Sequence, residues 1–392
     1  MGPGESPNVT MSASVTRPRG GIGAAPSLDL ASVRGIVLAG TYHWSGTSFE
    51  ALLPRPLLPV AQAPLVSYAL RWLRDGGVAS ATVCANSASR AVRSYLGKGN
   101  RLTMNIAYHE DWTPRGAAGC VRDAAARTDA QTLVIADGTA IPSVNIGLLL
   151  ADHRSSQAAV TIVVHHDRLA RAGERPLNPG GIYVFDRRAL DYINETGFQD
   201  IKETLIPKLC KAGERIVTHA GLGVCPRVLN AETYLAVNHW MIEQMGADPS
   251  PLEHWGTYFE TDQLLAHPTA SVDPAARIIG PVLLGPEVRV GAGATVVGPV
   301  SLGPGCEVGE RALVSRSVAW DRVSVRAGAT VDHCVLADDA IVAPGERLLH
   351  ALKVAGSDPR RSLWEPVPEP VLGPESPEPA PVPGLALSAS VK

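Results

Sequence analysis

The sequence predicts an α/β fold: a Rossmann-like, mostly parallel sheet over residues 34–245, then a left-handed parallel β-helix over 271–350. Three observations carry this. Short apolar runs alternate with amphipathic segments through the first part, the rhythm of strand, helix and parallel strand. Large aliphatic residues then recur at every sixth position: Val272, Ile278, Leu284, Val290, Val296, Leu302, Val308 and Val314. A six-residue period is one short strand and one turn per face, each aliphatic side chain stacking on its equivalent one coil away. Finally, composition changes at both ends. Residues 1–33 are rich in Gly, Pro, Ser and Ala and read as a flexible arm, and 351–392 become a Pro-rich tail that cannot pack.

The elements follow in order. Gly35 to Gly40 reads as a buried strand ending in a loop. Leu65, Tyr68, Ala69 and Leu73 stand at helical spacing before a stop at Gly76-Gly77, so Leu65 to Arg74 is predicted helical. Ser80–Cys84 is a strand, Ala88–Leu96 a helix, and Thr132–Ala136 a strand running into Asp137-Gly138. Val160–His165 and Gly181–Phe185 complete the strands, and 246–270 is a linker. In the coils, Gly directly follows the aliphatic residue at 285, 291, 303 and 309. The register slips near Trp320 and resumes at Val325, Val331 and Ile341.

Composition excludes several classes of function. With 45% hydrophobic residues and a net charge of −3, the 392-residue chain is not disordered. No Lys/Arg stripe suggests nucleic acid, and no apolar run of about 18 residues suggests a membrane span. The six cysteines are scattered without a C-x-x-C pair, as expected of core thiols in a reducing compartment. Arg17 and Arg19 precede no apolar stretch, so no secretory signal is read and the cytoplasm is the expected location.

Ile36-Val37-Leu38-Ala39-Gly40 is followed by Pro54-Arg55-Pro56-Leu57-Leu58-Pro59-Val60 and Pro64-Leu65. Gly116-Ala117-Ala118-Gly119, Asp137, Gly181-Ile182-Tyr183-Val184-Phe185 and Ser317-Val318-Ala319-Trp320-Asp321 come later. In this order and spacing the chain resembles the sugar-nucleotide pyrophosphorylases. The likeness is greatest to the mannose-1-phosphate guanylyltransferase and glucose-1-phosphate nucleotidyltransferase group with C-terminal hexapeptide repeats. Members let a sugar 1-phosphate attack the α-phosphorus of a nucleoside triphosphate, releasing pyrophosphate, with charge neutralised by cations and Mg²⁺. The resemblance implies a nucleotide site of Leu38, Ala39, Gly40, Gly116, Ala118, Gly119 and Asp137, with Gly116–Gly119 as a base-reading loop. Asp137 stands where the family holds Mg²⁺. It implies a phosphate contact at Arg55, and a sugar-phosphate side at Glu174, Asn178, Gly181 and Arg227.

Two departures bear on chemistry. The family's Gly-rich phosphate loop is Thr41-Tyr42-His43-Trp44-Ser45-Gly46-Thr47-Ser48 here, with Ser45 in place of the triphosphate-clamping Arg. Arg227 replaces the second metal-binding Asp, which suggests an Asp137–Arg227 ion pair instead of a metal, or a direct phosphate contact. The leading expectation is a nucleotide- or sugar-nucleotide-binding regulatory or scaffold homologue. The alternative is an active pyrophosphorylase using Mg²⁺, and a third class is a purely structural assembly protein. The β-helix is expected to pair with another subunit, in a homo- or hetero-oligomer. His165-His166 lacks a visible third ligand, and His333 in the coils reads as structural.

Overall fold

The computed structural model describes residues 30–40, 53–86, 90–166, 177–221, 226–228, 230–245, 259–261 and 263–355. The first part is one seven-stranded sheet. Its strands are β1 (Val33–Leu38), β4 (Ser80–Asn86), β5 (Asn105–Asp111), β6 (Thr132–Asp137), β7 (Val160–His166), β8 (Leu177–Asp186) and β9 (Ile216–Ala220). A short hairpin, β2 (Pro59–Val60) and β3 (Ala63–Pro64), stands apart from it. The spatial order is β5-β4-β1-β6-β8-β7-β9, and β8 alone runs against its neighbours. The helices are α1 (Leu65–Asp75), α2 (Arg90–Leu96), α3 (Gly116–Ala125), α4 (Ile146–Ser156), α5 (Ile206–Lys211) and α6 (Ala231–Met245).

Period-two alternation divides the strands between two cores. Val37, Val134 and Ala136 face α1, α2 and α4, whereas Ile36, Leu133 and Ile135 face α3 and α5. The predicted helix at Leu65 begins directly after Pro64 and ends at Gly76, as the sequence requires. Residues 87–89, the start of the second predicted helix, lie outside the described residues, which resume at Arg90. Gly116–Gly119, expected as a loop, is instead the first turn of α3. The amides of Ala118 and Gly119 donate to the Gln199 carbonyl at 2.9 and 3.3 Å. Gly116 has φ +72°, and an added Cβ would sit 2.5 Å from that same carbonyl oxygen.

One buried histidine links this domain to pH. His153 of α4 is 3% exposed, with Nδ1 2.8 Å from the Thr161 hydroxyl. Burial holds its pKa down at about 4; Asp186 opposes this in part, and Arg188 and Arg154 add to it. The unfolded chain takes up this proton near pH 6.5, so the native state is disfavoured progressively below that value. Stability is full above pH 6.5 and falls by about 3 kcal/mol as pH drops towards 4. Chemical denaturation at pH 7 and pH 4.5 checks this, and His153→Gln is expected to remove most of the difference.

The second part is a left-handed parallel β-helix of three sheets, one seven-stranded and two five-stranded. It begins before residue 271: β10 (Phe259–Thr261) pairs with β11 (Leu264–Ala266), which pairs with Val282–Leu284. Val272, Val290 and Val308 stack in one sheet, Ile278, Val296 and Val314 in another, and Leu284 and Leu302 in the third. The slip lies earlier than Trp320. Val314 is followed at five residues, not six, by inward Ala319, and Val331 likewise by Leu336. Coils therefore shorten from 18 to 17 residues. One coil after Val325 the stacked inward residue is Val342, fully buried, whereas Ile341 is 55% exposed. In the last described coil, Lys353 donates to Glu346 at 2.7 Å.

The two parts share a core. Outward-facing Leu265, Leu283, Val318, Val335 and Leu352 of the seven-stranded sheet pack against Leu58, Val60, Tyr68, Tyr234, Met241 and Ile242. Part of the coil surface expected to need another subunit is thus covered within the chain. The β2–β3 tip, with Ala61 and Gln62 at φ 44° and 65°, reaches the coils, where Gln62 Nε2 donates to Leu302 O at 2.8 Å. Tyr234 Oη accepts from Trp320 Nε1 at 2.8 Å and donates to Pro59 O, with the rings edge-on at 81°. Among the described residues no helix is long and apolar enough to cross a membrane.

Candidate nucleotide site

The candidate site lies at the carboxyl ends of β1 and β6, where open α/β sheets place ligands. Ala39 is buried and its amide donates to Cys84 O at 2.8 Å, while Gly40 is exposed at the strand end. Gly138 N donates to Leu38 O at 2.9 Å, and a Cβ on Gly138 would lie 3.0 Å from that oxygen. This close approach brings Asp137 beside Leu38, Ala39 and Gly40.

Asp137 has a complete set of donors. Its Oδ1 accepts from Thr139 N at 2.9 Å and from Thr139 Oγ1 at 2.8 Å, the side-chain turn that Asp-Gly-Thr favours. Its Oδ2 accepts from Arg227 Nη2 in an ion pair, with the two side chains 24% and 32% exposed. Backbone pairing fixes Arg227 there: it forms an antiparallel bridge with Ala140, and Ile141 N donates to Pro226 O at 3.1 Å. The Nε–H of Arg227 is buried without an acceptor among the described residues.

Gly181, at φ +75°, completes this wall, because a Cβ there would lie 3.0 Å from Asp137 Cβ and 3.7 Å from Arg227 Cζ. Tyr183 lies next along β8, and burial pushes its hydroxyl up to about 12 despite nearby Arg227. Thr139 and Tyr183 were not singled out from the sequence. The Asp137-Gly138-Thr139 turn signature was the available signal for the first; nothing local marks the second.

Leu38, Ala39, Gly40, Asp137, Gly181 and Arg227 are thus brought together. Asn178 lies at the start of β8, paired with His165 and three residues before Gly181, at the same edge of the sheet. Arg55 is half-buried in a single 3₁₀ turn before the docking hairpin. Gly116, Ala118 and Gly119 cap α3 against Gln199, so Gly116 answers a packing demand. The Thr41–Ser48 loop and Glu174 lie outside the described residues.

The Mg²⁺ that the resemblance implies does not fit this donor set. A divalent cation needs carboxylate oxygens. Here a guanidinium stands where the family has a second carboxylate, which removes an oxygen ligand and adds a positive charge beside Asp137.

Residues 36–172 match the nucleotidyl transferase family model. The mannose-1-phosphate guanylyltransferase of Mycobacterium tuberculosis is 23% identical over 278 residues, covering 64% of this chain and 75% of the relative. The glucose-1-phosphate thymidylyltransferase of Mycolicibacterium smegmatis is 29% identical over 184 residues, 41% of this chain and 63% of the relative. The UTP–glucose-1-phosphate uridylyltransferase of Synechocystis is 23% identical over 198 residues, 41% of this chain and 51% of the relative. The matched span and these relatives make the chain similar to the sugar-nucleotide nucleotidyltransferase family.

Proposed function

We propose that the chain binds a nucleotide or sugar nucleotide at the ends of β1 and β6, with nucleotidyl transfer absent or weak. The observation that carries this reading is the Asp137–Arg227 pair, which neutralises the carboxylate where catalysis would need a cation. Phosphoryl transfer depends on charge offset at the transferring group. A site that holds one fixed guanidinium and no spare carboxylate supports anion binding better than turnover. Arg227 is the group that would meet a phosphate, because its Nε–H has no protein acceptor among the described residues.

In this reading the protein acts as a sensor or scaffold of sugar-nucleotide metabolism and associates through the uncovered coil faces, where Ile279, Ile341 and Leu349 are exposed. The test is pyrophosphate release with each nucleoside triphosphate and mannose- or glucose-1-phosphate, with and without Mg²⁺. Calorimetric titration of GDP-mannose, UDP-glucose and dTDP-glucose runs beside it. Saturable binding of one of these without Mg²⁺, and no turnover above an Asp137→Ala control, is the expected result. Mg²⁺-dependent turnover abolished in the control would overturn the reading in favour of an active pyrophosphorylase.

A further inference from the structure

We propose that Asp332, His333 and His350 form a binding site for a divalent transition-metal ion of the Zn²⁺ or Co²⁺ class, at one corner of the β-helix. This site is separate from the nucleotide site and does not rest on the reading above.

The corner is a product of the shortened coil. The 17-residue repeat stacks Arg316, His333 and His350 at the same turn of successive coils, at φ 44°, 52° and 49°. Adjacent rungs of a sheet are about 4.8 Å apart, so equivalent side chains meet across the rungs. The rings of His333 and His350 stack at 4.9 Å between centroids, with 28° between planes. One ligand-type atom from each of Asp332, His333 and His350 lies within 4.8 Å of the others, the one such group of three among the described residues.

Two details distinguish this cluster from an ordinary surface patch. His333 Nδ1 is buried and makes no hydrogen bond among the described residues. It faces Asp332 Oδ1 at 3.6 Å, too long for a hydrogen bond but near the separation of two ligands on one tetrahedral ion. That separation is about 3.3 Å for metal–ligand bonds near 2.0–2.1 Å. The carboxylate is also fixed from outside: Ser315 Oγ donates to Oδ1 at 2.6 Å, and Arg316 grips both oxygens, Nε to Oδ1 at 3.0 Å and Nη2 to Oδ2 at 2.7 Å, so an ion would share Oδ1 with these donors. His350 is exposed, which leaves an entry path and room for its ring to close on the ion.

The donor set also selects the metal. Two imidazole nitrogens suit Zn²⁺, Co²⁺, Ni²⁺ or Cu²⁺, whereas Mg²⁺ and Ca²⁺ prefer oxygen. Arg316 beside the carboxylate further disfavours a hard cation held by charge alone. From the other domain, His239 of α6 stands edge-on to His333 at 6.1 Å and donates its Nε2–H to Arg316 O at 3.1 Å. The site therefore adjoins the domain junction, and loading it is expected to raise the melting temperature as any native-state ligand does.

The experiment uses tag-free full-length protein stripped with a chelator and titrated with Co²⁺, reading the visible d–d absorption, then with Zn²⁺ by calorimetry. One equivalent per chain, with a d–d band of tetrahedral or five-coordinate intensity, is expected. The His333→Asn/His350→Asn double variant keeps residues tolerant of the left-handed region, so the corner is preserved. It should lose more than about 100-fold in affinity, beyond the 10–100-fold cost of disturbing outer-shell groups. His350→Asn alone, at the exposed position, should also weaken binding, and it covers the case in which the double variant fails to fold by circular dichroism. Absence of a stoichiometric Co²⁺ band, or variants that fold and bind as the parent does, would overturn the proposal.

Discussion

Arg227→Ala is expected to weaken binding of the preferred sugar nucleotide about 10–100-fold while leaving the fold intact. The guanidinium is the charged donor at the strand-end site, and a hydrogen bond to a charged group contributes about 1.5–3 kcal/mol, the free-energy equivalent of that fold-change. The fold should survive because Asp137, still partly solvated, keeps both Thr139 donors. Arg227→Asp sharpens the test. It places a second carboxylate beside Asp137, so calorimetry is expected to find Mg²⁺ binding in the variant and none in the parent. Sugar-nucleotide affinity unchanged in both variants would mean that Arg227 serves only to neutralise Asp137, and the ligand would then have to sit elsewhere.

That pair shows what kind of information local sequence carries. A cation at a position where the family has a carboxylate is a statement about residue type, legible without structure. Its geometry is not local. Arg227 reaches Asp137 because the backbone at 226–228 pairs with 139–141, some ninety positions away along the chain. Gly116–Gly119 illustrates the opposite error. Two glycines around two alanines look like a loop, and the reason for Gly116 lies in the backbone of Gln199, which packs against it from a distant segment.

The β-helix was legible for a physical reason. Its interior is narrow, so each coil must supply an aliphatic residue at a fixed interval, and eight successive positions from Val272 to Val314 do so. The shortening at 314–319 was misplaced because the residues that absorb it are Arg316, His333 and His350, none of which advertises a left-handed conformation as glycine would. The same shortening hid the histidine pairing. At a six-residue period His333 and His350 have no common register, and only the 17-residue coil stacks them. The docking of the two domains left no local trace either, since Tyr234 and Trp320 are ordinary apolar positions of a helix and a coil.

Trp320→Ala is the change expected to cost most stability. The side chain is 4% exposed at the shared core, its Nε1–H is satisfied by Tyr234, and its ring meets that of Tyr234 edge-on at 6.4 Å. Truncating a buried aromatic costs about 3–5 kcal/mol. Because the lost contacts bridge the two domains, the loss should also change the form of unfolding. The parent is expected to melt in one transition, its domains coupled by the common core, whereas Trp320→Ala should show two, the α/β domain melting first and the β-helix later. Tyr234→Phe separates polar from apolar coupling. It removes a hydroxyl that joins Trp320 Nε1–H to Pro59 O, and should cost about 1–3 kcal/mol with the single transition retained. Calorimetry on the three proteins decides the matter. A single transition in Trp320→Ala, displaced by less than about 1 kcal/mol, a shift more typical of a surface substitution, would show that the domains fold independently and that the shared apolar surface contributes little to holding them together.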